Sequence, residues 1–331
     1  MANEDPKTEG GTQTPTTTGT DLKQILSGDL GDGVLPAEYA TQIIQQTPQS
    51  SAILQLARTM PMSKGQRVQP VLDMFPEAYW VNGETGLKQT TKAKWGSLKM
   101  VAEELAVIVP VPESVIADSD IAIFDEIAPR VAESMGKMID AAAIFGTNKP
   151  ESWPAALVPA ATAAGNAVKA GTGADLAVDV ASMGEKLAAQ GYTMDGFVSA
   201  PGLDWRLRGL RSTSGAPIYQ DNLAATGKSG LYGYPLNPVT NGAWDSTSAL
   251  LVGAEWDNVL VGIRQDITVR VLDQAVITDD EGNILLNLAQ QDAVALRFVM
   301  RVGVCVANPL TRIEGTKDKR FPAIVLQPNS K

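Results

Sequence analysis

The sequence predicts an α+β fold in which a first subdomain is interrupted by a second and resumes near the C-terminus. Three observations carry that prediction. A long hairpin with a polar tip occupies residues 77–109. An amphipathic helix follows over residues 121–145, with Ile121, Phe124, Ile127, Ala128, Val131, Met135, Met138, Ile139 and Ala142 recurring at spacings of three and four. Later, Val294, Leu296, Phe298, Met300, Val302 and Val304 alternate with Ala295, Arg297, Val299 and Arg301, the period-two pattern of a sheet with one buried face.

Residues 1–33 are rich in Thr, Gly, Pro, Gln and acids. Few apolar groups offset the entropy of ordering them, so they are expected to be a mobile arm in the isolated subunit. Its last part, Asp21-Leu-Lys-Gln-Ile-Leu26, offers a segment for docking on a neighbour. Ala40, Ile43, Ile44 and Thr47 predict a short helix ending before Pro48. Residues 66–75 read as a strand leading into the hairpin. Its flanks are strand-like, Tyr79-Trp80-Val81 before the tip and Leu98-Lys99-Met100-Val101 after it. An isolated two-stranded hairpin is marginal in water, and a loop this long inside a compact domain is usually functional or disordered. The hairpin is therefore expected to pack on another subunit. Residues 82–99 set Lys88, Lys92, Lys94 and Lys99 against Glu84, locally basic on an acidic chain. A solvated tip is the plain alternative. An attraction to an acidic neighbouring copy is the favoured one.

Asp118, Ser119 and Asp120 suit the start of the long helix and Gly146 its stop. Pro129 implies that the helix restarts or kinks there. From about residue 155 the composition shifts to Ala, Gly and Thr. A helix is predicted over 175–190, a strand over 196–199, a short helix over 204–210 and a loop-rich stretch over 211–248. Strands follow over 249–252, 258–262 and 267–272, then a turn over 278–283. The expected division is an arm 1–33, a first subdomain 34–76 and 110–155 with the hairpin 77–109 between, an inserted subdomain 156–264 and a return over 265–331.

Composition narrows the function. With 44% hydrophobic and 19% charged residues in 331, the chain is globular and long enough for two subdomains. No apolar run is long enough to cross a membrane as a helix, and no membrane partner is expected. The N-terminus lacks the marks of a secretory signal, so a cytosolic origin is the default. The single Cys305 cannot form an internal disulfide and reads as a small buried hydrophobe. There is no histidine, which removes the usual general base, triad partner and metal ligand. A net charge of −10 argues against wrapping DNA through phosphate neutralisation. Residues 222–229 resemble a phosphate-binding loop but have Asn222 where its first glycine belongs. Gly171-Thr-Gly173 lacks a third glycine, and Asp279-Asp280-Glu281 lacks the alternating calcium-ligand pattern. No catalytic, cofactor or metal site is expected, and the chain is not expected to be an enzyme.

The order of these elements resembles the major capsid proteins of tailed bacteriophages, whose HK97-like fold is shared by phage heads and encapsulin compartments. Gly33-Val-Leu-Pro-Ala-Glu-Tyr39 resembles the end of that family's N-terminal arm, and Trp80-Val-Asn-Gly-Glu84 the start of its extended E-loop. Pro110-Val-Pro-Glu-Ser114 with Asp118-Ser-Asp120 resembles the run into its spine helix. Asp257-Asn-Val-Leu-Val-Gly-Ile-Arg264 resembles the strand leaving its axial A-domain. Phe298, Arg301, Gly303 and Asn308-Pro309 resemble its last peripheral-domain strand. The resemblance implies hexamers and pentamers of an icosahedral shell around packaged double-stranded DNA, held without sequence-specific binding. It implies a virion protein assembled in the host cytoplasm, with a portal and a decoration protein as further partners. Only about 33 residues precede the fold and Met1 is intact, so a separate scaffolding protein is expected. Some members of the family crosslink an E-loop lysine to an asparagine with the help of a glutamate; counted back from Pro309 those two positions fall here on Asp292 and Val299, which predicts a shell without covalent crosslinks. The inter-subunit contact candidates are Trp80, Glu84, Lys88, Lys92, Lys94, Trp95, Arg130, Arg297 and Arg301. The rivals are an encapsulin shell around a cargo enzyme, a ligand-binding module or enzyme, and a decoration or tail protein.

Overall fold

A computed structural model describes residues 51–80, 90–91, 94–117, 123–209, 230–279 and 281–329. The arm, the helix expected before Pro48, most of the hairpin tip, the caps Asp118, Ser119 and Asp120, and residues 222–229 lie outside the described residues. The chain divides into two compact units. The smaller holds Ile108–Glu126 and Val269–Arg297, and the larger holds Ala37–Val107, Ile127–Thr268 and Phe298–Lys331.

The larger unit holds a six-stranded sheet, a hairpin and part of a four-stranded sheet, three of whose strands continue into the residues of the smaller unit. Its six-stranded sheet has the order β5-β14-β9-β6-β8-β7. The strands are β5 (Ala167–Lys169), β6 (Gly196–Ser199), β7 (Gly230–Leu231), β8 (Tyr234–Pro238), β9 (Leu251–Ala254) and β14 (Ala323–Gln327). Every residue of β6 and β9 is buried, as continuous apolar runs require when both faces are covered. Helix α5 (Leu176–Ala189) adds Val180, Met183 and Leu187 to a core with Phe197, Leu236, Leu251, Ile324 and Leu326. Asp175 caps α5 by accepting from Val178 N at 2.9 Å, and Gly191 at φ +82° follows its end. Asp179 of α5 accepts from Gly171 N and Gly173 N at 2.6 and 2.7 Å, so this glycine pair is a turn held by a helix. The expected short helix is α6 (Leu203–Arg208).

Several expectations are corrected here. The stretch 211–248, expected to be loop-rich, carries β7 and β8 in its described part. The two strands expected at 258–262 and 267–272 are one, β10 (Val259–Leu272). β14 pairs with β5 and β9 in the six-stranded sheet, although the sequence division leaves residues 265–331 with the first subdomain.

The second sheet has the order β1-β10-β13-β4. Its strands are β1 (Arg58–Pro61), β10, β13 (Ala293–Val306) and β4 (Glu103–Pro112), with β1 parallel to β10. The expectation of one buried face on β13 fails, because Val299 and Cys305 are buried as fully as Phe298 and Val304. Both faces are covered over residues 295–305 except at the half-buried Arg297 and Arg301, so the polar positions of the alternation do not mark an open face. At Gly303 an added Cβ would lie 2.5 Å from the Val101 carbonyl oxygen, so only glycine permits this approach. Met62, Met100, Leu260 and Cys305 close a small core beside it.

The hairpin pairs β2 (Gln66–Met74) antiparallel with β3 (Lys94–Val101), with a register shift between Leu72 and Met74. Its arms therefore start earlier than residue 77, and β4 belongs to the four-stranded sheet instead. Tyr79 and Trp80, expected as strand, have no regular structure.

The long helix is α3 (Ile123–Asp140), continuous through Pro129, and it buries Ala128, Val131, Ala132, Met135 and Ile139. It passes into a π-helical turn, Ala141–Phe145, that stops at Gly146 with φ +83°. A short helix α1 (Ala52–Leu56) precedes β1, and α4 (Leu157–Ala163) packs on β14.

In the smaller unit, α2 (Glu113–Ala117) starts with Glu113 N donating to the Asp292 carbonyl at 2.8 Å. The hairpin of β11 (Val276–Thr278) and β12 (Ile284–Asn287) encloses a core of Leu286, Leu288, Ala293 and Ala295. Its turn is held by the Asp279 carboxylate, which accepts from Glu281 N and Asn283 N. The expected turn thus stands where the sequence put it.

Candidate inter-subunit surface

In an antiparallel pair, directly opposed residues share a face. Leu72 stands opposite Trp95, Pro70 opposite Ser97 and Val68 opposite Lys99. The other face is Arg67, Gln69 and Val71 with Gly96, Leu98 and Met100, and it is the more buried of the two. The first face is open. Val68 is 58% and Trp95 66% exposed, and Met74 at the strand end is also exposed. The described hairpin has only two strands. Such a pair gains stability when its apolar face is covered.

The candidates divide on this geometry. Trp95 lies on the open hairpin face, and Trp80 beyond β2 is fully exposed. Lys94 reaches Asp73 across the hairpin at 3.6 Å, an exposed pair of small energetic weight. Glu84, Lys88 and Lys92 lie outside the described residues. Arg130 pairs with Glu133 one turn along α3, at 3.7 Å. Arg301 donates from Nε at 3.0 Å and Nη2 at 2.6 Å to Glu104 of its own chain. Adjacent strands of one sheet thus supply Arg301 with an acid of its own chain. Arg297, in the smaller unit, is half-buried, and its Nε has no hydrogen-bond acceptor among the described residues.

Two anchors escaped the sequence reading. Asp140, at the end of α3, is fully buried. Its carboxylate accepts from Ser51 Oγ at 2.7 Å, Ala52 N and Ile53 N at 3.0 Å, and Asn241 Nδ2 at 2.8 Å. Burial outweighs these donors and holds its carboxyl above the usual carboxylate range. The sequence shows it only as a residue on the polar face of a helix. The second anchor is Arg320, buried within a charged run, Lys317-Asp-Lys-Arg320, that reads as solvated. It donates from Nε to Pro309 O and from Nη1 to Gly315 O, fixing the loop between β13 and β14. On that loop Thr311 donates to Gln190 O at the end of α5. Its neighbour Arg312 stacks over Phe75 at the end of the hairpin, 4.8 Å from the ring centre.

Reactive chemistry is sparse among the described residues. Burial pushes the Cys305 thiol up to about 12, far from the thiolate that a nucleophile needs. Burial also pushes Tyr192 up to about 12, with its hydroxyl within hydrogen-bond distance of Asn308 Oδ1 and Pro309 O. No group of three or more Asp, Glu or Cys side chains that could hold a metal occurs among them.

Comparison with known proteins agrees with this architecture. The family model described as the phage capsid family matches residues 31–311. The major capsid protein of Staphylococcus phage 80alpha is 26% identical over 304 residues, covering 91% of this chain and 87% of the relative. A solved structure from Microbacterium phage Oxtober96 superposes with a TM-score of 0.76 at 36% identity, covering 94% of this chain and 98% of the other. One from Mycobacterium phage Cain gives 0.76 at 34% identity, with coverage of 94% and 98%.

Proposed function

The chain belongs to the phage capsid family, and on that premise we propose how it builds a head. It serves as a major capsid subunit, a structural protein of the virion shell assembled from copies of itself. The matched family and relatives are those of phages, so a phage head takes precedence over a nanocompartment around a cargo enzyme. Its spatial order is the HK97-like one that the sequence motifs suggested.

The single observation that carries the assembly mode is the open face of the β2–β3 hairpin. Val68, Pro70, Leu72 and Trp95 line one side of a two-stranded ribbon that has nothing over it within the described larger unit. A neighbouring copy covers this face, and the lysine-bearing tip reaches toward that copy's acidic surface. Covering Trp95 alone contributes about 2–3 kcal/mol per interface. Copies group as hexamers and pentamers, as a closed shell of identical subunits requires two related contacts. The shell encloses double-stranded DNA without sequence-specific contacts, and the net charge of −10 keeps the wall from adhering to phosphates. A separate scaffolding protein, a portal and a decoration protein complete the head in the host cytoplasm. The chain performs no catalysis. Copies are joined by packing and not by covalent crosslinks, since Asp292 and the buried Val299 stand at the crosslink positions. Sedimentation and negative-stain microscopy of the purified chain, alone and with the scaffolding protein, test this proposal. Hollow icosahedral particles, or capsomers that convert to them, are expected. A stable monomer or dimer under both conditions contradicts it, and a ladder of multimers on a denaturing gel contradicts packing-only joints.

A further inference from the structure

Asn241 and Gly242 form one of two Asn-Gly pairs in the chain, and the other, Asn82-Gly83, lies outside the described residues. A glycine after an asparagine has no Cβ to hinder its amide nitrogen from closing a ring on the asparagine side-chain carbon. Three groups of the larger unit converge on Asn241 and Gly242. The Asn241 side chain donates from Nδ2 to Asp140 Oδ2 at 2.8 Å, and its Oδ1 accepts from Ala243 N at 3.1 Å. Lys137 Nζ, on the same helix as Asp140, stands 3.7 Å from where a Cβ on Gly242 would lie. Asn241 is half-buried and Gly242 is exposed, so water reaches the pair.

We propose that Asn241 is a self-modification site, at which the chain converts its own asparagine to aspartate and isoaspartate through a cyclic imide with Gly242. Gly242 N gives its proton to solvent and bonds to Asn241 Cγ. The Lys137 ammonium beside it favours the anionic nitrogen. Ala243 N–H steadies Oδ1 as negative charge develops there, as an oxyanion donor does. The Cγ–Nδ2 bond then breaks. Nδ2 leaves as ammonia with a proton from Asp140, which regains one from solvent. Burial lets that carboxyl keep a proton to higher pH than an exposed aspartate does. Water opens the imide at either carbonyl, so one water enters for each ammonia that leaves. The product works against the anchor of Ser51. A carboxyl oxygen replaces the Nδ2 donor beside Asp140, and two carboxyls so close cannot both ionise without cost. Isoaspartate also lengthens the backbone just before the buried Ala243 and before Trp244, which meets Phe145 edge-on at 5.2 Å. The conversion is a timer that loosens the joint between α1 and the end of α3 as a subunit ages. This inference concerns the single subunit and does not depend on the shell reading.

Peptide mapping by mass spectrometry of the full-length subunit, aged at neutral pH in water enriched in heavy oxygen, tests it. A synthetic peptide of residues 236–247 in the same buffer gives the rate of the Asn-Gly pair without its surroundings. Asn241 is expected to convert severalfold faster in the folded subunit than in the peptide, to both isoaspartate and aspartate, each carrying heavy oxygen. Asp140→Asn should bring the rate down toward that of the peptide. Should that variant fail to fold, substitution of the exposed Lys137 makes the same comparison: Lys137→Met should slow the conversion severalfold, and Lys137→Arg should keep it. Asn241→Asp, which installs one product directly, should lower the urea midpoint of the subunit. A folded rate equal to or below that of the peptide overturns the proposal. Aspartate without isoaspartate denies the ring, and ammonia loss with a peptide joined to Lys137 makes Lys137 the nucleophile; either result overturns it. An unchanged midpoint for Asn241→Asp overturns the loosening of the joint.

Discussion

Asp140→Ala removes the acceptor that ties Ser51 and α1 to the end of α3. The wild-type carboxylate is fully buried and takes four hydrogen bonds, two of them from the buried amides of Ala52 and Ile53. Each donor left without a partner costs about 1–3 kcal/mol. The sum is partly offset, because burying a carboxylate is unfavourable and water can enter a vacated polar site. The net loss is about 3–5 kcal/mol, because several neutral donors lose their acceptor and water re-satisfies only part of them. Urea unfolding of the unassembled subunit, followed by tryptophan fluorescence, measures it as a lower midpoint. The pH dependence has a defined sign. Burial raises the folded carboxyl above its ordinary 3.8, so between the two values the native state binds the proton more tightly than the unfolded chain. Asp140 then contributes most at or below pH 3.8, and its contribution falls as pH rises through the folded value. The deficit of Asp140→Ala should narrow from acid to neutral pH. A loss below about 1 kcal/mol, or a deficit that widens as pH rises, would refute the reasoning.

Three other outcomes follow from the same geometry. Trp95→Ala should leave the melting temperature of the free subunit nearly unchanged and sharply lower shell yield, scored by sedimentation; unchanged yield would remove Trp95 from the interface. Arg312→Ala and Phe75→Leu should show a coupling of about 0.5–1 kcal/mol in a double-mutant cycle of subunit stability, and additive losses would deny the stacking contact. Asp245 has its carboxyl held below the usual range, first by the Ser248 hydroxyl and then by the Thr247 hydroxyl. Its stabilisation is therefore full above 3.8 and is lost as pH falls through the folded value, so Asp245→Asn should destabilise at neutral pH and converge on wild type in acid; a deficit independent of pH would contradict this.

The sequence made α3, α5, β6 and the β11–β12 turn legible because each is decided locally. Leu176, Val180, Met183 and Leu187 fall on one face of a helix whatever surrounds them, and Asp175 and Gly191 mark its ends. β14 escaped notice because a five-residue apolar run gains its place only from partners at 167–169 and 251–254, far away in sequence. β10 looked like two strands because its second half changes from continuous burial to alternation, as one strand leaves a covered region. The exposed face of β13 was misread because two arginines suggest an open face, and neighbouring elements decide whether the residues between and beyond them are covered. The exposed aromatic residues Trp80 and Trp95 stood out in the sequence as apolar groups in a polar stretch. The Glu104 partner of Arg301 was not legible, because that pairing is set by strand order and not by either residue's own neighbours.

In the proposed shell, the apolar face of the hairpin is completed by another copy. Hydrogen–deuterium exchange over residues 66–74 and 94–101, compared between free subunits and assembled shells, tests it most directly. In free subunits these amides should exchange rapidly, as a two-stranded ribbon with one open face allows, while β6 and β9 stay protected. On assembly, protection of the hairpin should rise by orders of magnitude while β6 and β9 change little. Equal protection of the hairpin in both states would contradict the claim that a neighbouring copy covers it.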